Sequence, residues 1–398
     1  MAGRRRASRA GFSLVLLFAV LVGCGGGAGP DHASAEVQRL LDRRADALLV
    51  RDEPAFRATG QQDAGVTEFG NLDNVPLAAW SYRLTGLHRS GERATADAEL
   101  RYRIDGYDHA PVTAARTLTL THRDGTWYVV SDKPAKKTGE QLWEQGDVGV
   151  VRGKHSIVLG VGQSQEALRG YADLADHAVP AVTNAWGTDW AGRDVVLVPE
   201  SLDDMAGLLG ASASGYRGIA AVTTGEAGGS VQAPADRIIV NPDAYGVLGD
   251  FGRQVVLTHE TTHVATRART TAATPLWLSE GYADWIGYRG SGRTATQAAP
   301  ELQRAVVDGQ LPAGLPEDSA FGFSGSATEL AKAYEGGWMA CRLIADRWGE
   351  VRLNDFYRAV GGHKKRPGAV EDALRDVLGT TPEKFTAQWR DYLRAQLG

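Results

Sequence analysis

The stretch VVLTHETTHVATR, Val255 to Arg267, puts two histidines four residues apart and a glutamate directly after the first. On a helix, residues four apart are separated by about 40° around the axis, so His259 and His263 point the same way and can hold one ion. Neutral imidazoles suit zinc. Glu260 sits one position from the first imidazole, on the flank of the same face. There it can reach a water at the ion without ligating the ion, which is where a general base belongs. None of the other histidines among the nine lies within a helical turn of another, so the pair is not a by-product of a His-rich composition. An HExxH string arises by chance in about one chain in a hundred of this composition, so its surroundings must decide what it is.

Zinc in a catalytic site takes a third protein ligand and keeps a fourth position open. PLWLSEGYADWIGY, Pro275 to Tyr288, supplies Glu280 in a second apolar-rich helical pattern, with 16 residues between it and His263. A carboxylate buried there needs compensation, and a metal ion provides it. Asp284, one helical turn further on, has two readings. It can accept a hydrogen bond from the outer nitrogen of His259, fixing the tautomer and ring orientation, or it is a solvated helix acid.

The combination of HETTH with WLSEGYAD resembles the gluzincin metallopeptidases, the clan that includes thermolysin and the M1 aminopeptidases. The resemblance implies a zinc-dependent hydrolase of peptide or protein substrates, with His259, His263 and Glu280 ligating one zinc ion and Glu260 as general base. The spacing of Glu280 and Asp284 matches thermolysin-like members. AYEGGWMACRLIADRWG, Ala333 to Gly349, resembles the helix that carries the catalytic tyrosine in M1-type enzymes, which implies Tyr334 as donor to the oxyanion. The residues themselves leave a second reading open, because Tyr334, Trp338, Cys341, Ala345 and Trp348 form a stripe at helical spacing that also suits core packing. The likeness covers Lys154 to the C-terminus. It includes no counterpart of the GxMEN motif by which M1 aminopeptidases recognise a free N-terminus, so exopeptidase activity does not carry over. The peptidase MA-like bacterial proteins are closer, sharing the WLxEGxA phrase and a helical C-terminal tail. In the clan the strand before the active helix edges the sheet and pairs with extended substrate, and RIIVNPDAY, Arg237 to Tyr245, takes that place. Two other functions suit the same chain: a peptidase fold without turnover, serving as a binding or assembly module, and hydrolysis of a non-peptide substrate.

The elements that must position these residues give an α+β chain. Val37, Leu40, Leu41, Ala45, Leu48 and Leu49 recur at helical spacing over Ala35 to Leu49. Alternating patterns follow at Trp80 to Leu84 and Glu99 to Ile104, and TLTLTHRDGTWYVV places Asp124-Gly125 between two alternating runs, a hairpin signal. A helix followed by antiparallel strands resembles the NTF2-like or cystatin-like class, and this small accessory domain is expected at 35–135. The polar stretch Ser131 to Gln141 reads as a linker. The remainder, 150–398, is expected as a thermolysin-like metallopeptidase domain: a helix over Ser164 to Trp186, a short mixed sheet from DVVLV, GIAAV and RIIVN, the active-site helices, and a helical C-terminal part.

The N-terminus begins with a basic segment and an apolar run from Phe12 to Val22, too short for a mature transmembrane helix, so residues 1–23 read as a signal peptide. LVGC resembles the lipobox of bacterial lipoproteins. That implies lipidation of Cys24 and a protein anchored to the cell membrane on its extracytoplasmic side; ordinary cleavage after small residues is the other reading. Residues 24–34, with GGGAGP, form a flexible tether. Removing residues 1–23 takes away four arginines and no acid, which carries the formal charge from −5 to −9 and argues against a nucleic-acid partner. The remaining cysteine, Cys341, is expected as a small buried residue.

Overall fold

The computed structural model describes residues 32–61, 63–224, 234–322 and 326–398. Cys24, the signal peptide and the first part of the tether lie outside the described residues. The chain is α+β, with two sheets. Helix α1 (His32–Leu49) buries Val37, Leu40, Leu41, Ala45 and Leu48 against a four-stranded antiparallel meander. Its strands are β1 (Leu77–Ser90), β2 (Arg93–Ile104), β3 (Val112–Arg123) and β4 (Thr126–Pro134), in that spatial order. β2 buries every second side chain from Ala94 to Ile104, as a sheet with one wet face requires. Between β3 and β4, Asp124 and Gly125 take φ of 51° and 77°. Positive φ at both central residues suits the primed turns whose twist matches a hairpin. The strands outrun their sequence patterns because ladder hydrogen bonds need no apolar side chain.

The stretch expected as a linker starts inside the sheet: Ser131 to Pro134 complete β4, with Pro134 opposite Arg116. Polar character misleads there because Asp132 accepts from Arg116 and from the Tyr82 hydroxyl, at 2.7 Å each. Trp143 then packs 5.2 Å from the Trp80 ring and 4.9 Å from Tyr102. The same apolar cluster runs on through Val148 to Ile157, Leu159 and Val195, so the first sheet shares its core with the second. A buried ion pair reinforces the junction, the Arg237 guanidinium donating to Asp108 at 2.7 and 2.8 Å.

The second sheet contains β5 (Gly149–Arg152), β6 (Ser156–Gly160), β7 (Asp194–Val198), β8 (Ala221–Thr223) and β9 (Arg237–Val240), in the order β5-β6-β7-β9-β8. β6, β7 and β9 run parallel, with antiparallel β5 and β8 outside them. Helix α2 (Gln165–Trp186), capped by the Ser164 hydroxyl on Ala167 N–H, makes the crossover from β6 to β7. This order corrects the expected edge strand. Arg237 to Val240 lies inside the sheet, because Ala221–Thr223 folds back antiparallel on it, and the strand stops where Asn241 caps a short helix led by Pro242. The outer strand on that side is β8.

The rest is helical: α3 (Asp250–Thr266), α4 (Leu276–Tyr288), α5 (Ala327–Trp348), α6 (Glu350–Gly361), α7 (Ala369–Leu378) and α8 (Pro382–Leu397). They enclose a second core that includes Trp277, Tyr282, Trp338, Phe356 and Trp389. Cys341 is buried in it with its thiol free. Among the described residues no helix is long and apolar enough to cross a membrane.

Candidate active site

Helix α3 carries HETTH and is largely buried although four of its last nine residues are threonine. The hydroxyls of Thr258, Thr261, Thr262 and Thr266 each donate to the carbonyl four residues earlier, at 2.7 to 2.9 Å. This leaves their methyl groups to pack and lets a polar helix enter a dry environment. Thr261 also reaches the fully buried carboxylate of Asp194 on β7, at 2.6 Å, tying the helix to the sheet beneath it. Burial pushes the Asp194 carboxyl up to about 7, against the Thr261 hydrogen bond.

Helix α4 brings Glu280 to α3, and α5 brings Tyr334. Their approach depends on two glycines. A Cβ on Gly281 would lie 2.2 Å from the Gly337 carbonyl carbon, and one on Gly337 would lie 2.6 Å from the Trp277 carbonyl oxygen. Backbone therefore touches backbone where α4 crosses α5.

In the site, Nε2 of His259 and Nε2 of His263 are 3.0 Å apart, and Oε2 of Glu280 lies 3.3 Å from the first and 3.4 Å from the second. Donors on a tetrahedral zinc at its usual bond lengths of roughly 2.0–2.1 Å stand about 3.3 Å from one another. The triangle fits that ion, and two imidazoles with a carboxylate are a donor set zinc accepts. Nδ1 of His259 is 2.8 Å from Oδ1 of Asp284, so the carboxylate fixes the tautomer that turns Nε2 inward. Burial alone pulls the His259 imidazole down, but Asp284, Glu280 and Glu260 outweigh it and hold it well above its usual range. Burial pushes the Glu280 carboxyl up, but His263 and His259 outweigh that and hold it well below the ordinary carboxylate range. Three carboxylates against two imidazoles in a buried cluster favour a further cation.

Glu260 is buried, and its Oε2 accepts from the Thr223 hydroxyl on β8 at 2.6 Å. The cluster opens into a cavity of about 360 Å³ lined by Thr223, His259, Glu260, Glu280 and Tyr334. The Tyr334 ring centre lies 6.3 Å from that of His259 and 5.2 Å from that of Phe321. Half-buried Tyr334 is thus the member of its helical stripe that reaches the cavity, while Trp338 and Cys341 go to the core.

All six residues singled out in the second half of the sequence, His259, Glu260, His263, Glu280, Asp284 and Tyr334, meet at one place; Cys24 lies outside the described residues. Thr223 and Asp194 were not anticipated. Each acts across a long sequence separation, and neither carries a local pattern. The only signal for Asp194 was an acid leading an otherwise apolar strand.

No known family and no curated protein matches the sequence. Solved structures that align with parts of this chain include yeast LTA4 hydrolase in complex with bestatin, 14% identical over 69% of this chain and 43% of that one, with a TM-score of 0.39. A two-domain M1 zinc metallopeptidase bound to L-arginine is 14% identical over 81% of this chain, with a TM-score of 0.38. The M1 zinc metallopeptidase of Deinococcus radiodurans is 14% identical over 82% of this chain and 72% of that one, with a TM-score of 0.35. This chain spans 63% of the two-domain enzyme and less than half of the yeast hydrolase. The site's own geometry, rather than these likenesses, carries the functional reading.

Proposed function

We propose that this chain is a zinc-dependent metallopeptidase of gluzincin type, lipid-anchored through Cys24 outside the cytoplasmic membrane. In this reading residues 150–398 form the peptidase unit and 35–135 an NTF2-like accessory unit. One observation carries the zinc site of this reading: Nε2 of His259, Nε2 of His263 and Oε2 of Glu280 meet at tetrahedral-edge distances, with Asp284 on the far nitrogen of His259.

These three residues hold the ion. Zinc, when bound, supplies the Lewis acidity that polarises a peptide carbonyl and acidifies water. Glu260 takes the proton from the attacking water and returns it to the leaving amine. Thr223 engages Oε2 of Glu260, which assigns proton transfer to Oε1. The Tyr334 hydroxyl donates to the oxyanion. β8 lines the same cavity, and an extended peptide would pair with its backbone there.

The test is zinc content by mass spectrometry together with cleavage of a peptide library. About one zinc per wild-type chain is expected, lost in Glu280→Ala. Glu260→Gln should keep the metal and lose about 10²–10⁴-fold in turnover. A wild type that stays zinc-free after incubation with zinc, or Glu260→Gln cleaving at the full rate, would sink the proposal.

A further inference from the structure

Between α1 and the meander lies a second cavity, of about 230 Å³, remote in sequence from HETTH and without a part in the proposed mechanism. Its walls combine apolar Phe56, Phe69 and Leu72 with three cations and three acids, exposed Lys133 among them. Arg116 on β3 is satisfied there by Asp132 and Glu144, at 2.7 Å each, and Tyr82 donates to Asp132. Arg44 and Glu68 are different.

The Arg44 side chain is 2% exposed and has two neutral partners, the Thr59 hydroxyl at 3.0 Å and the Ala64 carbonyl at 2.7 Å. A guanidinium has five donors, and no carboxylate among the described residues lies within ion-pair distance of this one. It stacks 3.7 Å over the Phe56 ring. Gly65, at φ 77°, keeps clear of it, since a Cβ there would lie 2.3 Å from Nη2. Burial pulls the guanidinium below its ordinary value, opposed by Tyr82, Asp132 and Glu68. Half-buried Glu68 lines the same cavity and also lacks a cation at ion-pair distance among the described residues.

A buried cation and a half-buried anion on one small cavity with partly apolar walls, neither with an opposite charge at ion-pair distance, match a zwitterion with an apolar side chain. We infer that this cavity binds a free amino acid, its carboxylate at Arg44, its ammonium at Glu68, and its side chain among Phe56, Phe69 and Leu72. Such a molecule belongs to the chemical class that peptide hydrolysis releases, although the site stands on its own geometry whether or not the chain is a peptidase.

Isothermal titration calorimetry on the full chain in detergent tests this with four probes: L-leucine, L-phenylalanine, L-leucinamide, which lacks the carboxylate, and N-acetyl-L-leucine, which lacks the ammonium. The two free amino acids should bind, and each blocked leucine should bind at least about tenfold more weakly than L-leucine. Arg44 also ties down Thr59 and Ala64, so its removal would confound folding with binding. Glu68→Gln serves instead. It should weaken L-leucine about tenfold while leaving N-acetyl-L-leucine unchanged, and His263→Ala should leave L-leucine binding intact. No heat from either amino acid at roughly 10 mM would overturn the inference. So would equal affinity for the blocked probes, or binding lost in His263→Ala and kept in Glu68→Gln, which places the ligand at the metal cluster.

Discussion

At the residue scale, the candidate site depends on side chains outside the motif. Asp194 shows how. Its folded-state carboxyl sits at about 7, above its ordinary 3.8, because it is fully buried with one oxygen lacking a partner. A carboxyl raised on folding contributes fully below its unfolded value, and the contribution is lost as pH rises through the folded one. Asp194→Asn, which keeps an acceptor for Thr261, should therefore gain on the wild type as pH rises from about 4 to about 7, by on the order of 3 kcal/mol. Urea denaturation of both proteins across that range checks it, and parallel stability curves would show that Asp194 ionises freely in the fold.

At the element scale, the crossing of α4 and α5 sets where Glu280 and Tyr334 stand. Gly281→Ala would drive a methyl into the Gly337 backbone and should cost about 3 kcal/mol. Gly170→Ala, on α2 with nothing within 4 Å of its new methyl, should be neutral or stabilise by up to about 1 kcal/mol. Equal urea midpoints for the two variants would remove the crossing from the account.

This is also the scale at which the sequence was readable. His259, His263 and the pairing of Glu280 with Asp284 follow from one helical turn, so their common direction is local geometry. The hairpin at Asp124-Gly125 is local as well. The edge of the second sheet was not readable, since whether β9 or β8 lies outermost depends on which side of β9 each neighbouring strand pairs with, and strand patterns do not carry that. Thr223 and Asp194 were hidden because they lie 37 and 67 residues from the groups they hold.

For the whole molecule, Arg237 and Asp108 join the meander to the strand beside β8. Both side chains are nearly or fully buried, and removing one member of such a pair strands the other's charge. Arg237→Leu should cost about 3–5 kcal/mol. Adding Asp108→Asn, which keeps an acceptor for the Ile104 N–H, should recover part of that loss. A single variant within 1 kcal/mol of wild type by chemical denaturation, or a double variant less stable than the single, would contradict a buried-charge origin.

The shared core bears on how this chain can recombine. Trp143 and Val148 are contributed from beyond β4, yet Trp143 packs on Trp80 and Tyr102 of the meander. A graft that exchanged the N-terminal part at the end of β4 would leave a hole on one side of the seam and bare indole on the other. Viable chimeras should carry the meander and the Leu142–Val148 segment together, as one heritable block.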